Sequence, residues 1–455
     1  MRRPAPTLAL LLVAAAGCGG AGGPGAPGRP NVLVLLADDL RHDALSVAGN
    51  PYAETPHLDR IAREGALFTR AYVATSRCCP GRASFLTGKL AHRHGVWTNR
   101  PEHDVVAEHE TVAESLDRAG YDTAWIGKWH LPNPGADPVA GFDHWVSYEG
   151  PGDHYDQVFD VDGETVASEG YQADRLTDYA LAFLDRERTA PFFLVVAFKN
   201  PHVPLTPPPR HAGRLAQVAI EVPASARDPV ETQPAFVRKL RLGGGRHEVD
   251  WSTWEDDVRA YFELVLSVDD NAGRLLDRLG ERGILDETLV VLTTDNGMLL
   301  GEHGIDAKGV AFEPSIRVPL ALRWPGRILA GSRRRELVLT VDLLPTILGA
   351  ARLPVPADVD GRSLLGLFGA DPPPWREHFL YVLPGFGEQG MVEHAIVEER
   401  WKLVVDEAEG RREDWLYDLQ NDPEERVNAA GDPANAAVLE RLQELMETER
   451  ARSGT

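Results

Sequence analysis

The chain has 455 residues, 43% of them apolar, and a formal net charge of −22 at neutral pH. That length buries one large core, or one large and one small, and the apolar content excludes a disordered or fibrous chain. The charge excludes nucleic-acid binding, which needs a basic footprint, and obliges any anionic substrate to be captured by a local cationic pocket against the overall field.

Taken in chain order, Arg2 and Arg3 precede an apolar run over residues 8–16, followed by Gly17-Cys18. This reads as an export signal over residues 1–17, its apolar run too short to span a bilayer. Ala15-Ala16-Gly17-Cys18 is similar to a bacterial lipobox, which would place a lipid on Cys18 of a periplasmic or cell-surface lipoprotein; cleavage after Ala16, giving a secreted soluble protein, is the other reading. Residues 18–30 form a Gly/Pro tether of the kind an anchor needs. With three Cys in all, no disulfide framework is available, although a Cys78–Cys79 vicinal bridge or two buried thiols remain open.

Four apolar runs are predicted as strands of a parallel sheet, buried on both faces. Residues 32–37 end in Asp38-Asp39, 124–127 in Lys128-Trp129-His130, 192–198 in Lys199-Asn200-Pro201-His202, and 289–294 in Asp295-Asn296. Ligand crevices of such sheets lie at the carboxyl ends of the strands, so all four runs deliver polar groups to one rim. Between the first two, Cys78-Cys79-Pro80-Gly81-Arg82 opens a short apolar helix that stops at Gly88. Its N-terminus offers N–H groups and a positive dipole end to an anion. Amphipathic helices are predicted over 174–188 and 256–283, the second ended by Gly283, and the alternation indicates a layered α/β domain.

At Pro372-Pro373-Pro374 the texture changes. Short β-like runs follow at 379–382, 394–397 and 401–405, and a last helix starts near Asp432-Pro433. The division is therefore a main domain over 31–371 and a small α+β subdomain over 372–455. Asp38, Asp39, Asp295 and Asn296 supply only oxygen ligands, which suits a hard cation such as Ca²⁺ better than zinc. Singly, each is as well read as a helix cap or a solvated side chain, and each Lys or His of the rim as a solvated or core residue; their joint placement is what points to a site. A histidine on such a rim can serve in proton transfer near neutral pH.

The Cys78-x-Pro80-x-Arg82 core resembles the signature of the formylglycine-dependent sulfatases. Further landmarks occur in family order: Thr55-Pro56-His57-Leu58-Asp59-Arg60, Gly127-Lys128-Trp129-His130, Gly141-Phe142-Asp143, Asp295 to Gly304, Arg317-Val318-Pro319-Leu320, Asp360-Gly361-Arg362-Ser363-Leu364 and Leu416-Tyr417-Asp418-Leu419. The resemblance implies an alkaline-phosphatase-like α/β sandwich, with a central, largely parallel mixed sheet between helices and a small C-terminal subdomain. It implies that a separate formylglycine-generating enzyme oxidises Cys78 to formylglycine, whose hydrate attacks sulfur with one hydroxyl and expels sulfate with the other. It implies Ca²⁺ on Asp38, Asp39, Asp295, Asn296 and the converted Cys78, with Arg82 and His130 on the formylglycine and His202 as acid. Lys128 and Lys308 would bind the sulfate, and His303, in the same segment as Lys308, is a further substrate-binding residue.

The activity implied is that of an exported, calcium-dependent sulfatase. Thr87-Gly88-Lys89 after Cys-Cys-Pro resembles the glucosamine-6-sulfatase branch, which makes a sulfated glycan the expected substrate. The basic run of Lys89, His92, Arg93 and His94 either lines an entrance for it or is a solvated loop, and loops 132–155 and 204–254 set specificity. Gly81 stands where the family usually has Ser or Ala, and its backbone freedom predicts less efficient conversion of Cys78. Two alternatives remain: a phosphonate or phosphate monoester hydrolase of the same superfamily, and a non-catalytic sulfated-glycan-binding protein whose Cys78 is never converted.

Overall fold

A computed structural model describes residues 28–100, 104–132, 138–242, 248–384, 392–408 and 411–455. The expected export signal and Cys18 lie outside the described residues. Among those described, no helix is long and apolar enough to cross a membrane.

The main sheet comprises β1 (Asn31–Asp38), β2 (Ala66–Tyr72), β3 (Asp122–Gly127), β4 (His144–Ser147), β5 (Val158–Val161), β6 (Glu164–Ala167), β7 (Phe192–Pro201), β8 (Thr288–Thr294), β9 (Arg317–Arg323), β10 (Ser332–Arg334) and β11 (Val338–Leu339). Its order is β10-β2-β9-β8-β1-β7-β3-β4-β5-β6, with β11 also pairing β2. Strands β8, β1, β7, β3 and β4 run parallel, whereas β9 is antiparallel to both of its neighbours and β4-β5-β6 form an antiparallel edge. The four strands predicted from sequence are thus adjacent, and their carboxyl ends form one rim.

Adjacency follows from composition. On β1, Val32, Val34 and Leu36 face a layer containing α2 (Cys78–Thr87), while Leu33 and Leu35 face the layer of α1 (Pro56–Arg63), α3 (Gln172–Asp185) and α4 (Trp254–Glu281). Each such buried side chain contributes roughly 1.5–3 kcal/mol, and a one-residue slip would exchange the two faces. Helices α3 and α4 are those predicted, and Gly283 takes a left-handed φ of 69° just past α4.

The C-terminal subdomain is an antiparallel sheet of β12 (Phe379–Pro384), β13 (Val392–Val397), β14 (Trp401–Ala408) and β15 (Arg411–Asp418). Helix α5 (Ala436–Ser453) covers one face with Leu442 and Met446. The other face, including Tyr381, Ala395 and Val404, packs on Val310 and Phe312 of the main domain. Asp432 does cap, but it caps a 3-10 turn over Pro433–Asn435 that precedes α5. The α/β architecture and the subdomain are as expected from sequence; β15 is an addition to it.

Candidate active site

Each strand end turns into the rim by its own device. After β1, Asp39 adopts a left-handed φ of 66°. That turn is held by its N–H donating to Asp295 Oδ1 (3.3 Å), by Tyr261 Oη donating to its carbonyl (2.7 Å), and by Leu40 N–H donating to Thr294 Oγ1 (3.1 Å). β3 ends at Gly127 with φ 124°, where a Cβ would lie 1.9 Å from the Ala197 carbonyl, so only glycine lets the chain turn Lys128 inward beside β7.

Helix α2 begins at Cys78 and is buried along its whole length. The Cys79 N–H donates to Asn99 Oδ1 (3.1 Å), which caps the first turn. Gly81 receives a different reading from the one its sequence position suggested. A Cβ there would sit 2.2 Å from the Asp295 carbonyl, so glycine is required for α2 to seat against the end of β8.

These devices bring Cys78, Arg82, Lys128, His202, Lys308, Asp38, Asp39, Asp295 and Asn296 into one cluster. Cys78 Sγ lies 3.4 Å from Asp38 Oδ1, 2.8 Å from Lys308 Nζ and 3.9 Å from Lys128 Nζ. Lys128 pairs with Asp38 and Lys308 with Asp39. Arg82 meets Asp295 Oδ2 through Nε (2.9 Å) and Nη2 (2.8 Å), and its Nη1 donates to the Lys128 carbonyl (2.5 Å). His202 Nε2 is 3.7 Å from Asp39 Oδ2 while Nδ1 is 2.8 Å from the Val203 carbonyl.

Burial and neighbouring charge set the protonation states. For Asp38, burial acts to raise the carboxyl, but Lys128, with His202, Lys308 and Arg82, holds it well below the usual range. Asp295 is pushed up to about 6 by burial and by Asp38 beside it. The Cys78 thiol is raised well above its ordinary value by burial and Asp38, and His202 is lowered by burial despite Asp38 and Asp39.

The donor set fits a hard divalent cation. One ligand atom from each of Asp38, Asp39, Cys78 and Asp295 lies within 4.8 Å of all the others. Asn296 Oδ1 is buried with no hydrogen-bond partner, while its Nδ2 donates to Asp39 Oδ1 (2.6 Å). Clustered carboxylates beside an unpartnered amide oxygen match oxygen-only coordination.

Two assignments fare differently. The His130 ring is half-buried, and its Nδ1 has no partner. Burial, then Lys128 and Arg82, lower it to about 3. His303 does not join the cluster. Its φ of 56° turns the ring onto Phe312 (3.7 Å between centroids) and toward Gln233 Oε1 (3.0 Å), where Asp228, Lys402 and Arg241 are its charged neighbours. Within the basic run, Lys89 pairs with Asp358 (2.5 Å), Arg93 with Asp360 (3.2 Å), and His94 is buried against Ser84 Oγ (3.1 Å).

Sequence reasoning passed over Lys199, although it stands in the same strand-end run as His202. Its Nζ donates to the Val203 carbonyl (2.7 Å) and its own carbonyl accepts from the His202 N–H (2.9 Å), closing the turn that carries the histidine. Burial, and Lys128 nearby, lower it to about 8. Beyond His202 and Asp39 the rim opens into a cleft walled by Leu205, Trp254, Val258 and Tyr261, with Asp257 and Asp306 also lining it.

The family model Sulfatase matches residues 30–353, and a model of the C-terminal region of N-sulphoglucosamine sulphohydrolase matches residues 301–452. An N-acetylglucosamine-6-O-sulfatase of Bacteroides thetaiotaomicron is 31% identical, with 92% of this chain and 85% of that protein covered. A solved structure described as a complex with its substrate D-glucosamine-2-N,6-O-disulfate superposes with a TM-score of 0.84 at 30% identity, covering 94% of this chain and 98% of the other. The phosphonate monoester hydrolase of Agrobacterium radiobacter superposes with a TM-score of 0.77 at 25% identity, covering 93% and 96%.

Proposed function

This chain belongs to the sulfatase family, and we propose that it removes a sulfate ester from a glycan by way of a formylglycine made from Cys78, with calcium held by Asp38, Asp39, Asp295 and Asn296. The observation that carries the reading is the convergence of Lys128 and Lys308 on Cys78 Sγ at the buried start of α2.

When present, formylglycine supplies a hydrated aldehyde as nucleophile, and calcium supplies charge for the sulfate oxygens. The side chains provide the rest. Arg82, Lys128 and Lys308 balance Asp38, Asp39 and Asp295 three against three, so a bound divalent cation leaves the pocket net positive. That local field answers the repulsion of an anionic ester by a chain of charge −22. Lys128 and Lys308 hold sulfate oxygens, acting as preorganised donors in a water-poor pocket. Arg82 fixes Asp295 and the Lys128 carbonyl, which ties α2 to β3 and β8. With Nδ1–H anchored on the Val203 carbonyl, His202 presents Nε2 to the site, and as the imidazolium, favoured by Asp38 and Asp39, it gives its Nε2 proton to the departing oxygen and returns to neutral imidazole. The partnerless Nδ1 of His130 leaves that ring free to serve the group at position 78.

The cleft beside His202 takes the alcohol side of the ester, with Trp254 as a wall and Asp257 and Asp306 for sugar hydroxyls. It is built partly from the 204–254 loop expected to set specificity. Similarity to the glucosamine sulfatases makes a 6-sulfated glucosamine the first substrate to test. Export through residues 1–17, lipidation of Cys18, and division at 371/372 complete the reading.

The test is release of inorganic sulfate, with calcium present, from N-acetylglucosamine 6-sulfate, other sulfated sugars and an aryl sulfate, beside a Cys78→Ala control. Release from a sugar, absent in the control, is the expected result. Faster hydrolysis of matched phosphate monoesters or phosphonates would replace this reading with the monoester hydrolase one. Binding of the sulfated sugar without turnover, with Cys78 unconverted, would leave only a glycan-binding role.

A further inference from the structure

Lys308 reaches Cys78 from an irregular segment rather than from the sheet. Past Ala307, whose carbonyl accepts from the Leu299 N–H (2.8 Å), side chains hold this backbone. The Gly309 N–H donates to Ser315 Oγ (3.2 Å). The Ala311 N–H donates to Glu393 Oε1 of β13 (2.5 Å), and its carbonyl accepts from Lys402 Nζ of β14 (2.8 Å). Two residues on, the Glu313 N–H donates to Glu425 Oε2 (2.6 Å).

Lys402 also donates to Glu425 (2.8 Å) and pairs with Glu313 (2.9 Å), and it is fully buried. The subdomain also touches the other side of the site. Tyr381 Oη of β12 meets Ser76 Oγ (2.8 Å), two residues before Cys78, and Ser315 Oγ meets the same hydroxyl (2.9 Å).

Burying a lysine among carboxylates is a poor route to stability, since each ion forfeits several kcal/mol of hydration, roughly what an apolar replacement avoids. An apolar triad at this place would pack, but it could not aim a donor and an acceptor at the Ala311 peptide. Aim is therefore the property that distinguishes the cluster.

We propose that Lys402 and Glu393 are positioning residues for Lys308. They fix the Ala311 peptide, three residues along the chain, and so set where Lys308 Nζ stands over position 78. This rests on the reading of Lys308 as a sulfate-binding group.

The test is the kinetics of sulfate release by the full chain, with inorganic sulfate as a competing ligand and Lys308→Ala as reference. Lys402→Met and Glu393→Ala are expected to lower kcat/KM about 10- to 100-fold, the scale of a misplaced catalytic group, and to weaken inhibition by inorganic sulfate in parallel. Glu393→Gln, which keeps the acceptor for the Ala311 N–H, restores both. In a Lys308→Ala background the Lys402→Met effect disappears, because residues acting through one another do not add.

Full additivity in the double variant, or a lower melting temperature with kcat/KM unchanged, overturns the proposal. Should Lys402→Met fail to fold, the contrast between Glu393→Ala and Glu393→Gln decides alone. If Lys308→Ala itself leaves kcat/KM untouched, the sulfate-binding assignment falls first. If it costs activity while the Lys402 and Glu393 variants do not, only the positioning role falls.

Discussion

Two clusters of buried charge, one at the strand ends and one beneath the C-terminal sheet, are made from the same residue types and differ in what they leave unfinished. At the strand ends, β1 and β8 are neighbours in register, Ala37 beside Thr294, so Asp38, Asp39 and Asp295 are forced together by the sheet itself. Asn296 Oδ1 stays without a partner there, and the nearest contact of Lys308 besides Asp39 is the sulfur of Cys78, the group that the proposed maturation would replace. Under the C-terminal sheet, Lys402 is engaged wholly within the chain, donating to the Ala311 carbonyl and Glu425 and pairing with Glu313. A cluster whose charges are saturated by the chain holds shape. One with capacity left over holds a ligand.

The contrast can be broken most severely at position 78. Cys78→Ala is expected to reduce sulfate release to the uncatalysed background while leaving the melting temperature within a few degrees of the parent, because it removes one sulfur and no charge. A large loss of stability would mean that the strand-end cluster is also scaffold. Calcium removal is the next largest effect. Chelation should abolish turnover and lower the melting temperature, with both restored by added calcium; at 100-fold excess over Kd the ion contributes about 2.7 kcal/mol. Asn296→Ala should weaken that thermal response, measured by titrating calcium against melting temperature.

The cluster under the C-terminal sheet should answer in stability as well as in kcat/KM. Lys402→Met leaves Glu425 buried without its cation and Glu313 with Arg317 alone at 3.6 Å, and denaturant unfolding should show a loss of about 3–5 kcal/mol, with calcium affinity retained. The smallest effect is a pH dependence. Burial, with Asp406 nearby, pushes Glu393 up to about 8. The folded chain therefore keeps a proton that the unfolded chain releases near the ordinary carboxylate value, so this group's contribution to stability is lost as pH rises from that value through about 8. Glu393→Gln should flatten melting temperature against pH across that interval; an unchanged slope would show that Glu393 is already ionised.

The strand-end cluster was legible in the sequence because each contributing run is apolar for most of its length and then abruptly polar. Topology supplied what spacing could not: that four such runs, from Asn31 to Thr294, are neighbours. His303 was misplaced for a local reason. Gly301 and Gly304 bracket a tight turn with positive φ at all three positions, and that turn sends the ring to Phe312 rather than back to the rim. β15 was missed because Arg411-Arg412-Glu413-Asp414 opens it with charge rather than apolar alternation. The second cluster could not be read at all: Glu313, Glu393, Lys402 and Glu425 carry no motif, and only the docking of one sheet on the other assembles them.

Helix α2 leaves no part of Cys78 or its following turns at the surface. If Cys78 is oxidised as proposed, an enzyme that grasps Cys78, Pro80 and Arg82 as a strip of sequence would find that strip only in a chain that has not yet closed around it. On that reading maturation and folding would compete in time, and the order in which they finish would divide the population into competent and inert molecules. A chain that missed the oxidation would keep the same buried helix, so sulfate release, rather than shape, would tell the two apart.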